Sequence, residues 1–126
     1  MAMDVLRIKV AEASGWRIFD EQGNPIAYPF NEVDLSGIPP GGAMDEPVPS
    51  YTTSMDACME LLEETRWYKD SLGNWYETQV DIELEAGIWR VFIYTKEDLI
   101  TAWNGCGETL PEAICKAYLA WKGDSQ

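Results

Sequence analysis

Cys106 is the candidate nucleophile among the three cysteines of this chain, and no histidine occurs anywhere in its 126 residues. The sequence therefore excludes Ser-His-Asp and Cys-His catalysis, histidine-ligated metal sites and acid–base chemistry by imidazole. Cys106 lies between two glycines and could be an exposed thiol, but the neighbouring Glu108 opposes formation of a thiolate. The cysteines also lack the spacing of metal ligands. We expect that the chain is no enzyme and needs no metal or cofactor.

Two acidic pairs, Asp81 with Glu83 and Asp45 with Glu46, are the remaining groups that could hold a cation or transfer a proton. Neither pair belongs to an EF-hand spacing, and the chain has no glycine-rich phosphate-binding motif. Acidic residues of this kind more commonly form a solvated surface. The pairs therefore indicate a charged face rather than a catalytic site.

Four aromatic residues flank a predicted turn and are the clearest binding candidates: Trp67, Tyr68, Trp75 and Tyr76. Rings of this size anchor protein interfaces and stack on nucleobases. They also dominate small hydrophobic cores, so we expect at least two of the four to close the core. The sequence leaves open which rings are buried and which could contact a partner.

The segment 31–50 is rich in proline, glycine and acidic residues and has no sustained hydrophobic period. It is predicted to be a long loop, and long loops in small domains are often functional. Its acidic residues Asp34, Asp45 and Glu46 are therefore candidate contacts for a partner. A tolerated insertion explains the same composition equally well.

Hydrophobic spacing predicts helices over 3–13, 54–66 and 109–121. The last helix has the clearest signals, because Thr109 and Glu112 form a capping-box pattern and Gly123 follows as a stop. Two cysteines, Cys58 and Cys115, fall on the inward faces of these helices, which suggests a reducing compartment.

Alternation of apolar and polar residues predicts an antiparallel sheet centred on 75–94, with a hairpin turn at 85–87. The first strand of this hairpin is predicted to have one solvent-exposed face. A further short strand is predicted at 16–19, and 104–107 is predicted to be a flexible loop. The expected fold is α+β: one domain over 1–126, an α/β/α sandwich with a small, mainly antiparallel sheet and three helices.

The chain is strongly acidic, with 22 Asp and Glu against nine Lys and Arg and a net charge of −13. Direct binding to nucleic acid needs cationic groups, so we expect none. An acidic surface favours a basic partner and can imitate nucleic acid in front of a basic groove, although plain solubility also explains it. The start Met-Ala-Met-Asp resembles no secretory signal, and no apolar stretch spans a membrane, which predicts a cytoplasmic protein.

Three separated stretches resemble one family: Val5-Leu6-Arg7-Ile8-Lys9-Val10-Ala11-Glu12-Ala13-Ser14-Gly15-Trp16, Pro49-Ser50-Tyr51-Thr52-Thr53-Ser54 and Leu110-Pro111-Glu112-Ala113-Ile114-Cys115-Lys116-Ala117. In these stretches the chain resembles the phage ABA sandwich domain, a family of small phage, prophage and bacterial proteins of mostly unassigned function. The resemblance implies a sheet between helical layers. The chain departs from the pattern in its acidic segment 31–50 and at Leu110, where a small residue is usual.

The resemblance and the acidity together predict a non-enzymatic phage or prophage accessory protein that binds a host or phage protein. An acidic anti-defence inhibitor, anti-CRISPR-like, that enters the basic groove of a nuclease complex is one form of this hypothesis, and the host cytoplasm would be its location. The alternative is a small-molecule binder that sequesters a nucleotide-like signal on its aromatic residues. The scarcity of cations for phosphate groups weighs against it. The sequence leaves open whether the chain forms a homodimer.

Overall fold

The computed structural model describes residues 3–18, 36–42, 46–96 and 102–124. Within these ranges the chain forms three helices, which are α1 (Met3–Ala13), α2 (Met55–Glu64) and α3 (Leu110–Asp124). Its seven strands are β1 (Arg17–Ile18), β2 (Ser36–Ile38), β3 (Glu46–Pro47), β4 (Trp67–Lys69), β5 (Trp75–Glu85), β6 (Ile88–Thr95) and β7 (Ala102–Gly107). The predicted α+β class with three helices is confirmed.

The larger sheet is antiparallel and has the order β4-β5-β6-β7. Its centre is the β5–β6 hairpin, in which Glu85 lies opposite Ile88 across a two-residue turn. Ala86 and Gly87 both have positive φ, 53° and 79°, as the favoured two-residue hairpin turn requires. The predicted hairpin is confirmed.

The smaller sheet has the antiparallel order β1-β2-β3. Two of its short strands lie within 31–50, so the predicted uninterrupted loop is wrong for the described part of that segment. These strands pair although Gly37 and Pro47 lie within them. Arg7 connects α1 to the residues directly after β3, because its side chain donates hydrogen bonds to the carbonyl oxygens of Val48 and Pro49.

Helix α3 is the centre of the packing, because it contacts β6 and β7 on one side and α1 and α2 on the other. Six of its residues are buried: Ala113, Ile114, Cys115, Ala117, Tyr118 and Trp121. Their partners on the sheet include Val91, Ile93 and Trp103, which share the inner face of β6 and β7. This face of the sheet is therefore the one that carries the core.

Close contact between β7 and α3 explains why 104–107 is a strand and not the predicted flexible loop. A Cβ atom at Gly105 would lie 2.3 Å from the backbone nitrogen of Ala117. Glycine is needed here for backbone approach, although glycine in a sequence more often indicates a turn. The prediction for 104–107 is thus wrong for a packing reason.

Side chains cap the starts of two helices, α2 and α3. Ser54 caps α2 by accepting a hydrogen bond from the Ala57 amide, and Thr109 accepts one from the Glu112 amide. The Glu112 carboxylate reaches back to the amide of Glu108, one residue before the cap. The predicted stop at Gly123 is wrong, because α3 continues to Asp124.

Candidate binding surface

A tight turn after β4 pairs the two strands that carry the four aromatic binding candidates. One carboxylate oxygen of Asp70 accepts hydrogen bonds from the amides of Leu72 and Asn74, at 2.9 and 2.8 Å. Its second oxygen accepts from the Tyr76 hydroxyl at 3.2 Å. These donors, the Asn74 amide above all, lower the pKa of Asp70. Asp70 therefore fixes the turn and the Tyr76 side chain, whereas the sequence indicated only that it belongs to a turn.

Strand alternation divides the four rings between the two faces of the sheet. Tyr68 lies opposite Tyr76 on the inner face and packs on Trp103, with ring centroids 4.7 Å apart. Trp67 and Trp75 lie on the other face, where they are 47% and 61% exposed. Tyr68 therefore packs against the core, Tyr76 lies half-buried on the same face, and Trp67 and Trp75 are exposed on the other face. A role for the four residues in binding stays a prediction.

The face that carries Trp67 and Trp75 is called the outer face here. Its other described residues are Lys69, Glu77, Gln79, Asp81, Glu83 and Glu85 on β4 and β5, Ile88, Arg90, Phe92 and Tyr94 on β6, and Ala102, Asn104 and Cys106 on β7. No helix among the described elements packs broadly on this face, since the sheet contacts of α3 lie with the buried side chains of the inner face. The outer face is thus a mixed aromatic and charged surface.

Two lysine side chains at one end of the outer face have partners there. The ammonium group of Lys96 lies 3.1 Å from the Glu77 carboxylate, and that of Lys69 lies 5.7 Å from the centre of the Trp75 ring. The Lys69 contact has the geometry of a cation–π interaction. Both contacts hold long side chains against the sheet beside the exposed rings.

The acidic pair Asp81 and Glu83 lies on this outer face, in line with Glu85, and all three are exposed. Asp81 accepts a hydrogen bond from the Tyr94 hydroxyl at 3.0 Å, and loss of solvent together with this carboxylate raises the pKa of Tyr94. Within the described ranges, no group of three or more His, Cys, Asp or Glu could hold a metal ion. The geometry of the pair is that of a solvated acidic row.

The acidic candidates of the segment 31–50 are less fully described. Asp34 and Asp45 lie outside the described residues, and Glu46 opens β3 with a side chain that is likewise not described. A role for these three residues in binding stays a prediction.

The cysteines separate into one accessible and two inaccessible thiols. Cys106 is exposed on the outer face of β7, whereas Cys58 and Cys115 are fully buried between α2 and α3. Both buried sulfurs lie within hydrogen-bond distance of the Tyr51 carbonyl oxygen, at 2.9 and 3.2 Å. The hydrogen bond with Cys58 and burial together raise the pKa of Cys115. The same hydrogen bond lowers the pKa of Cys58, but complete burial keeps both thiols away from solvent.

A groove that sequence reasoning missed lies between α2 and β5. It has a volume of about 270 Å³ and is lined by Met59, Leu62, Glu63, Arg66, Thr78 and Val80. The alternating pattern of β5 predicts that its apolar residues face the core, but Ile82 and Leu84 are 45% and 57% exposed. The inner face of β5 is thus open at the end of the strand that lies beyond this groove.

Comparisons with protein-family models, with curated proteins and with solved structures each find no match to this chain. In the part of the chain that the structure describes, no helix is long and apolar enough to cross a membrane.

Proposed function

We propose that this chain is a non-enzymatic binding protein that recognises another protein through the outer face of its larger sheet. The observation that carries this proposal is the exposure of Trp67 and Trp75 on the same face as the acidic row of β5. Exposed tryptophan is a frequent anchor of protein interfaces, and acidic groups around such an anchor favour a basic partner. A phage or prophage accessory protein is the class that the resemblance of its sequence supports.

The net charge of −13 supports a more specific form of the proposal. An acidic anti-defence protein would present carboxylates to a basic groove that otherwise holds nucleic acid, and so inhibit a nuclease complex. Long-range attraction would speed its association and would weaken as salt increases. The partner in this form is a host protein of the cytoplasm.

One observation favours the alternative, a small-molecule binder. Trp75 offers an exposed ring with the Lys69 ammonium group beside it, an arrangement that suits a nucleobase and a nearby phosphate. Another groove among the described residues, lined in part by Trp16, Tyr51, Glu60 and Glu64, carries carboxylates that would repel phosphate. The protein-binding proposal is therefore preferred.

The test is affinity capture from a lysate of a bacterial host that carries phage or prophage genes, washed at low and at high salt. The tagged wild type is compared with a Trp67→Ser, Trp75→Ser double variant and with Leu72→Ser, because Leu72 is 85% exposed on the neighbouring turn. We expect one stoichiometric protein partner that Leu72→Ser retains and that the double variant and high salt release. Absence of a protein partner at both salt concentrations would contradict the proposal and favour the small-molecule alternative.

A further inference from the structure

Strand β5 has one edge that faces β6 and one that faces away from it. Most of the edge that faces away from β6 has no partner among the described residues. Strand β4 pairs only with residues 75–77 of β5, and the Thr78 amide extends this edge by one hydrogen bond, to the Arg66 carbonyl. The strand continues to Glu85, so residues 79–85 are bonded to β6 alone within the described structure. At about 3.3 Å per residue, this edge is roughly 23 Å long.

The register shows which backbone groups point along the open edge. The Lys96 amide donates to the Glu77 carbonyl, which marks Glu77 and Lys96 as a hydrogen-bonded pair of the antiparallel ladder. Such pairs alternate along the ladder, so Gln79, Asp81 and Glu83 bond to β6. The N–H and C=O groups of Val80, Ile82 and Leu84 therefore point away from β6, toward the open edge.

The two faces of this edge have different chemistry. On the inner face, exposed Ile82 and Leu84 extend from a groove whose rim includes Met59, itself 53% exposed. On the outer face, Asp81, Glu83 and Glu85 form the exposed acidic row. A strand added here would place alternate side chains against an apolar surface and against carboxylates.

We propose that this edge binds an extended segment of a partner protein in which apolar residues alternate with lysine or arginine. Its backbone would pair with Val80, Ile82 and Leu84, its apolar side chains would enter the groove beside Met59, and its basic side chains would lie opposite the acidic row. Addition of a strand to an open sheet edge is an established mode of peptide recognition. This inference rests on the proposed function and names the chemistry and the docking position of the partner.

Charge opposes a second copy of this chain as the occupant. In an antiparallel pairing of two β5 edges centred on Ile82, Asp81 of one copy would lie opposite Glu83 of the other. Centring on Glu83 would instead place the two Glu83 side chains against each other, and like charges directly opposite destabilise a strand pair. The same carboxylates attract a basic strand, so they select against self-association and for a basic partner.

The test is a residue-resolved NMR titration of the full chain with the peptide Lys-Val-Lys-Val-Lys-Val-Lys at low salt. The control peptide Lys-Lys-Val-Val-Val-Lys-Lys has the same composition and charge but cannot place valine and lysine on opposite faces. We expect the alternating peptide to bind at least about tenfold more tightly and to shift the amides of Val80, Ile82 and Leu84. High salt should weaken this binding.

Two variants test the backbone and the charges separately. Ile82→Pro removes an N–H group that points to the open edge without removing a bond to β6, so we expect it to keep the fold and lose binding. A Glu83→Lys, Glu85→Lys double variant should weaken binding at least about tenfold. Its control is Glu60→Lys with Glu108→Lys, two exposed acids outside the β5 edge with the same charge change. If Ile82→Pro does not fold, the charge variants still decide.

Several results would overturn the inference. Equal affinity for both peptides, or no binding of either, would show that the edge does not recognise an alternating basic strand. Shifts confined to Trp67 and Trp75 would place the contact elsewhere on the outer face, which leaves the proposed function standing. Shifts of Val80, Ile82 and Leu84 that depend on protein concentration, without peptide, would assign the edge to a second copy.

Discussion

The amide of Thr78 donates a hydrogen bond to the carbonyl of Arg66 at 2.9 Å, and the side chain of Thr78 donates to the carbonyl of Thr65. These bonds join the end of α2 to β5 where β4 stops pairing with it. Thr78 is itself buried, whereas Ile82, four residues along the strand, is exposed on the same face. The change from a covered to an open strand therefore occurs within four residues, about 13 Å of extended chain, and it creates the candidate docking edge.

The contact between β7 and α3 predicts a large effect of Gly105→Ala. The new Cβ atom would lie 2.3 Å from the Ala117 nitrogen and 2.5 Å from the Ala113 carbonyl oxygen, both of them backbone atoms that cannot move aside singly. We expect a loss of unfolding free energy of about 2–3 kcal/mol, measured by urea denaturation. Gly123→Ala is the matched control, because nothing lies within 4 Å of its added Cβ. A Gly105→Ala variant as stable as this control would show that the helix does not press on the strand.

The burial of the cysteines predicts that only one of the three thiols reacts in the native state. We expect an aromatic disulfide reagent to modify Cys106 rapidly and to reach Cys58 and Cys115 only upon unfolding. Release of the chromophore, counted per chain before and after addition of denaturant, measures this. The Cys106→Ser variant should lose the rapid phase and keep the slow one. Rapid modification of two or three thiols would contradict the packing of α2 against α3.

Glu112 predicts a specific acid sensitivity. Two hydrogen bonds lower the pKa of this carboxyl in the folded state. One comes from the Lys116 ammonium group, at 3.1 Å, and the other from the backbone amide of Glu108. A folded-state pKa below the unfolded value stabilises the fold above the unfolded pKa, and this contribution is lost as the pH falls through the folded pKa. Glu112→Gln should thus cost about 0.5–1 kcal/mol at neutral pH. The difference from wild type should shrink as the pH falls through the lowered pKa of this carboxyl.

The measurement for Glu112 is the free energy of unfolding as a function of pH for the wild type and the variant. Glu60→Gln, on the exposed side of α2, is the control and should stay within about 0.5 kcal/mol of wild type at each pH. A Glu112→Gln difference that does not depend on pH would show that the carboxylate charge contributes nothing at this helix end.

The sequence predicted the helices and the central hairpin well because their signals are local. Ser54 and Thr109 mark helix starts by their own side chains, and alternation along 78–94 sets which residues share a face. The strand at 104–107 could not be predicted, because the glycines serve a contact with a helix later in the chain. The open end of β5 also escaped prediction, since alternation does not reveal how far the neighbouring elements cover Ile82 and Leu84.

The candidate site was predicted in part. The sequence identified the aromatic group at 67–76 and the acids of β5, and the register then separated Trp67 and Trp75 from the two tyrosines. The docking edge is a property of how β4 ends, and no local pattern records where a neighbouring strand stops.

Hydrogen exchange of the free protein, resolved by residue with NMR, tests the central claim most directly. If the edge of β5 is open, the amides of Val80, Ile82 and Leu84 should exchange at least about tenfold faster than those of Gln79, Asp81 and Glu83, which bond to β6. This alternating pattern should persist upon dilution. Uniform protection of all six amides would show that another strand already covers the edge and would contradict the account.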